Sequence, residues 1–147
     1  MSLKEQLLQD MKAALKSKDT LRKDVIQVVR AGVLQVEKDE KVILEDEGVI
    51  TVIGKEVKKR LEVLPDYERA GREDKILEIK TQISILREYL PEQLSEEQVR
   101  EAVASVIKDL GATSMKDMGN VMKEASAKLK GKTEGKLINQ IVKELLS

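Results

Sequence analysis

The chain has 147 residues and a mass of 16.5 kDa, is 41% hydrophobic and 37% charged, and balances 27 Lys and Arg against 27 Asp and Glu. It contains no Cys, His, Trp or Phe, which removes thiolate and imidazole catalysis, the Ser-His-Asp triad, disulfides, structural zinc and haem ligation from its chemistry. Its only aromatics, Tyr67 and Tyr89, offer no platform on which unstacked bases could lie, and with no net charge any affinity for nucleic acid must rest on where the cations cluster.

Apolar residues at spacings of three and four recur about seven times along the chain, the signature of helices with one wet and one dry face. The first helix opens with a capping box of Ser2 and Glu5 and carries the stripe Leu3, Leu7, Met11 and Ala14. The second begins near Thr20, with Leu21, Val25, Val28, Val29 and Val36, and its pattern dissolves in the charged stretch 37–41. The β-branched runs 42–44 and 49–53 also fit a hairpin. Ile50, Ile53, Val57, Leu61 and Leu64 carry helical spacing beyond any strand length, so a helix is preferred, kinked or ended by Pro65 and broken again at Gly71. From about Arg72 another helix places Ile76, Ile79, Ile83, Leu86 and Leu90 on one face.

Pro91 disfavours helix at Leu90, and Ser95 with Gln98 starts a new capping box, so a domain junction is expected between residues 1–90 and 91–147. Beyond it, Val99, Ala102, Val103, Val106, Ile107 and Leu110 form one face, terminated by Gly111. Met115, Met118, Met122, Ala125 and Leu129 line the next helix, where the methionines read as core fillers with an adaptable partner surface as the alternative. Gly131 closes that helix, and Thr133 or Glu134 begins the last, carrying Leu137, Ile138, Ile141, Val142, Leu145 and Leu146. The expected fold is all-α, with about four helices before the junction and a three-helix domain after it. No apolar run reaches the roughly 18 residues of a membrane helix, and Met1–Asp10 lacks the apolar stretch of a signal peptide. The expectation is a soluble, cytoplasmic protein with no membrane partner.

Four charged or polar features are candidate sites. Gly131-Lys132-Thr133 ends like a phosphate loop, but Ser126 stands where the first glycine belongs, and the preceding segment is helical. The same turn, ringed by Lys128, Lys130, Lys132 and Lys136 and feeding a helix N-terminus, suits a nucleic-acid phosphate, although from these residues alone a solvated helix end is the preferred reading. Residues 114–147 hold seven lysines against four acidic residues, whereas residues 1–90 balance at 18 each. The acidic run Glu37, Asp39, Glu40, Glu45, Asp46 and Glu47 matches no calcium loop and reads as a solvated connection rather than a magnesium site. Lys55, Lys58, Lys59, Arg60, Arg69 and Arg72, diluted by Glu56, Glu62, Asp66 and Glu68, read as an ion-paired helix surface, with phosphate contact as the alternative. No cofactor or metal is expected.

The segments Tyr89-Leu90-Pro91-Glu92-Gln93-Leu94-Ser95, Lys116-Asp117-Met118-Gly119, Lys130-Gly131-Lys132 and Gly135-Lys136-Leu137-Ile138-Asn139 resemble the GatB/YqeY family, above all its free-standing YqeY-like members. The resemblance covers essentially the whole chain. It departs from the family pattern at Asn120, where a lysine is usual, and at Lys123, where a glycine is usual. It implies an all-helical fold in two subdomains and similarity to the tRNA-contacting helical and tail region of the tRNA-dependent amidotransferase B subunit. The family label of carbon-nitrogen ligase with glutamine as amide donor then belongs to a catalytic domain that this chain lacks. The resemblance extends the tRNA-contact role to Lys116, Lys123, Lys128, Lys130, Gly131, Lys132, Gly135 and Lys136. The rival expectation is a protein-interaction module docking on an aminoacyl-tRNA synthetase, an amidotransferase or another translation enzyme.

Overall fold

A computed structural model describes residues 1–147 as seven α-helices and one short 3-10 turn, with no strand. The chain divides into two compact units, Met1–Leu90 and Pro91–Ser147.

The first unit holds α1 (Leu3–Ser17), α2 (Thr20–Glu40), α3 (Asp46–Arg69) and α4 (Glu73–Arg87). Helix α1 packs on α2, α3 on α4, and α2 on both α3 and α4. Ser2 caps α1 by accepting the Glu5 N–H, but the Glu5 carboxylate stays in solvent, so the expected box is half made. Asp19 caps α2 by accepting the Arg22 N–H. The core is aliphatic: Leu7, Ile26, Ile53 and Leu86 are almost wholly buried, each contributing about 1.5–3 kcal/mol of transfer free energy. Gly32 lets α2 and α3 approach closely, since a Cβ there would lie 3.0 Å from a Val52 methyl.

Two expectations are corrected in this unit. Val28 faces solvent while the adjacent Val29 is buried together with Ile26, because spacings of three and four do not decide between adjacent residues that differ by about 100° around the helix. Of the two outcomes expected at Pro65, a kink or an end, the end is ruled out, since α3 runs on to Arg69. Its ring is exposed, Tyr67 beyond it packs against the core, and the helix stops where Gly71 adopts φ +66° and Arg72 N–H bonds the Tyr67 carbonyl. One lost backbone bond in a turn anchored on both sides does not break the segment.

The second unit comprises α5 (Glu96–Leu110), the 3-10 turn Met115–Asp117, α6 (Met118–Lys128) and α7 (Gly135–Leu146). Ser95 and Gln98 form the full reciprocal capping box, and Gly111 ends α5 at φ +65°. The three helices pack on one another around Val99, Val103, Val121, Ala125, Ile141 and Val142. Met118 and Met122 flank this core, half-buried, while Met115 lies in the open. Leu110 and Leu145 also face solvent, contrary to their expected place on the buried stripes.

Candidate functional site

Helix α6 ends at Leu129, whose buried side chain pins the following turn to the core. Gly131 then adopts φ +74°, a left-handed conformation that a side chain would strain, and the Lys132 N–H closes back on the Leu129 carbonyl at 2.9 Å. Two bonds from the start of the unit hold this turn from below. Gln93 donates its side-chain amide to the Gly131 carbonyl at 2.6 Å, and the Leu94 N–H donates to the Lys132 carbonyl at 2.9 Å. Both carbonyls are thereby engaged within the unit, and the lysines around the turn are exposed.

Lys128, Lys130, Lys132 and Lys136 are all exposed around this turn and the first turn of α7. None of Lys128, Lys132 and Lys136 is tied to a carboxylate. Glu134 occupies the N-cap position of α7 without capping it by its side chain, and Gly135 opens the helix with room for a close approach. Two of the four acidic residues of the tail have structural duties. The Asp117 carboxylate accepts the Thr113 and Ser114 N–H groups at 2.9 and 3.4 Å, and Glu144 pairs with Arg100 across α5 and α7. The hydrogen bond from Arg100 holds the Glu144 carboxyl below its ordinary range, and the same bond raises the Arg100 guanidinium.

The expected contact residues fall into two places. Lys128, Lys130, Gly131, Lys132, Gly135 and Lys136 belong to the turn. Lys116 lies in the 3-10 turn before the N-terminus of α6, and the length of that helix, about 15 Å at 1.5 Å per residue, separates it from the turn. Lys123 lies between them along α6 and borders a small cleft of about 210 Å³ with Asp117, Asn120 and Glu124. The turn joins two helices rather than a strand to a helix, which removes the phosphate-loop reading. The part that Gln93 and Leu94 play in setting its shape could not be read from the sequence, because nothing local marks a bond to a residue 38 positions away.

The other charged segments are framework. Glu37 accepts Lys4 Nζ at 2.6 Å and the Leu44 N–H at 2.7 Å, bonds that lower its carboxyl, and Asp46 accepts the Leu3 N–H at 2.9 Å. These bonds tie the α2–α3 connection to α1; Glu37 is partly buried, Asp39, Glu40, Glu45, Asp46 and Glu47 are exposed, and no three acidic groups converge on a metal position. In the basic stretch, Glu56 receives Arg60 at 2.9 Å and Lys59 at 3.1 Å, and Arg60 also donates to Gln82 at 2.9 Å. An open groove of about 680 Å³ on the first unit is lined by Asp10, Arg22, Glu88 and Tyr89, whose polar groups satisfy one another.

The family model described as YqeY-like protein matches residues 4–146. A protein named "Altered inheritance of mitochondria protein 41, mitochondrial", from Pyrenophora tritici-repentis (strain Pt-1C-BFP), is 24% identical over 140 residues, covering 93% of this chain and 77% of the relative. An uncharacterized protein of Schizosaccharomyces pombe (strain 972 / ATCC 24843) is 31% identical over 87 residues, 57% of this chain and 71% of that protein. No helix is long and apolar enough to cross a membrane.

Proposed function

The chain belongs to the YqeY-like protein family, and on that footing we propose that it is a non-catalytic helical module that contacts tRNA. The observation that carries this reading is the hydrogen-bonded Gly131 turn, with exposed lysines at 128, 130, 132 and 136 and its carbonyls engaged by Gln93 and Leu94. Lysines arranged this way hold phosphates by position and charge, while the glycines allow the backbone to come close. Without aromatic residues to stack on bases, recognition is of the folded tRNA surface rather than of sequence. The similarity to an amidotransferase subunit supports tRNA as the polyanion; the amide-transfer chemistry of that enzyme stays with its own catalytic domain. A cytoplasmic location belongs to this reading, and the mitochondrial name of one relative makes organelle fractionation its direct check.

The test is a fluorescence titration of the intact protein with bulk tRNA across a salt series. About four lysine–phosphate contacts give a log–log slope on the order of −3. Replacing Lys128, Lys132 and Lys136 together by Ala reduces the slope toward zero and weakens binding. No binding at low salt, or binding indifferent to these changes, overturns the proposal. The second reading, docking on a synthetase or amidotransferase, has Leu110 and Met115 as exposed apolar contacts in the same unit. A partner that stays bound through nuclease treatment and high salt favours it.

A further inference from the structure

Helix α2 shows one surface that neither its own fold nor the tRNA reading accounts for. Its buried residues Val25, Ile26, Val29 and Val33 define the core side. On the opposite side lie Asp24, Gln27, Val28, Ala31, Leu34, Gln35 and Lys38, all exposed, with Val28 at 44% and Leu34 at 63%. In a chain where 37% of residues are charged, the five positions between Asp24 and Lys38 on this face carry no charge. The nearest charge in that stretch, Arg30, turns away to the Met11 sulfur.

The face has one regularity that a merely solvated helix does not need: it is complementary to its own reverse about Ala31. An antiparallel copy centred there sets Val28 opposite Leu34, Gln27 opposite Gln35, and Asp24 opposite Lys38, while the small Ala31 side chains allow close approach at the axis.

We propose that the outward face of α2 is a homodimer interface, on which a second copy of this chain packs antiparallel across a two-fold axis at Ala31. The charges at each end fit this partner. Lys38 makes no ion pair within the chain, and Asp24 meets only its sequence neighbour Lys23, at 3.1 Å. The contact spans about 21 Å of helix. A single helix face of that length buries well under the roughly 800 Å² per partner of a stable complex, so the dimer is weak and forms at high micromolar concentration or above.

The absence of cysteine makes the test clean. Ala31→Cys places one thiol per chain at the axis, within the roughly 4–7 Å Cα separation that a disulfide spans. Under mild oxidation it cross-links to its own copy at least about tenfold faster than Leu77→Cys, an exposed control on α4. A mixture of Val28→Cys and Leu34→Cys proteins cross-links to each other faster than either does to itself. By sedimentation equilibrium, Asp24→Lys or Lys38→Asp alone abolishes dimer formation, and the two together restore it. A monomer at every concentration up to about 1 mM, or cross-linking of Ala31→Cys no faster than the control, overturns the proposal, as does occupation of this face by a different protein.

Discussion

The phenol of Tyr89 donates a hydrogen bond to the carboxylate of Asp10, joining two residues 79 positions apart in sequence at the ends of the first helical unit. Burial raises the ionisation of Tyr89 well above its ordinary value, and the Asp10 carboxylate raises it further. A raised phenol contributes stability that is complete below the unfolded value near pH 10 and is lost as pH rises through the folded value. In a Tyr67→Phe protein, which has a single tyrosine and no tryptophan, near-ultraviolet absorbance should show phenolate forming well above pH 10, and Asp10→Asn should bring it down. Tyr89→Phe should cost about 1–2 kcal/mol in urea unfolding at neutral pH.

Glu56 is the one buried charged residue, and its environment pulls in two directions. Burial alone would raise its carboxyl, but hydrogen bonds from Arg60 and Lys59 prevail and lower it. A lowered carboxyl contributes stability that is present above its unfolded value near 4.3 and is lost as pH falls through the folded value. Acid unfolding should therefore steepen below about pH 4.3, and Glu56→Gln should flatten that limb. At neutral pH the same change should cost about 1.5–3 kcal/mol, because half-buried Arg60 loses its charged acceptor.

Lys18 and Lys41 end α1 and α2 in the left-handed conformation, at φ 62° and 55°. Helices are usually closed there by glycine, since a Cβ crowds the following carbonyl. Lys18→Gly and Lys41→Gly should each raise the thermal midpoint, with a gain of about 0.5–1 kcal/mol read from denaturant unfolding.

The Gly131 turn depends on a residue outside it. Gln93→Ala removes the side-chain bond to the Gly131 carbonyl and should cost about 1 kcal/mol of stability in the second unit. If the turn is the tRNA contact, the same variant should weaken binding while leaving the salt slope unchanged, because no lysine is lost. A titration across the same salt series separates the two effects.

The helices and their order were legible in the sequence because this chain writes its cores in aliphatic residues at helical spacing, punctuated by Gly71, Pro91, Gly111 and Gly131. The run 42–53 shows the limit of local preference. Its β-branched residues suit a strand, yet Val49, Val52 and Ile53 lie on the buried side of α3, where packing against α2 decides the matter. What periodicity could not resolve was which of two adjacent apolar residues faces inward, as with Val28 against Val29 or Leu145 against Leu146. The lysine cluster was equally visible. The bonds that shape it were not, since Gln93 and Leu94 meet the turn only in the folded unit.

The bond from the Leu94 N–H to the Lys132 carbonyl gives this protein an internal gauge. Hydrogen exchange at that single amide reports how often the turn opens, and Leu94 itself, half-buried at the foot of α5, is not among the proposed contacts. A ligand that grips the turn should slow exchange at Leu94 without touching it, whereas one that binds elsewhere on the unit should leave it ticking at its own rate.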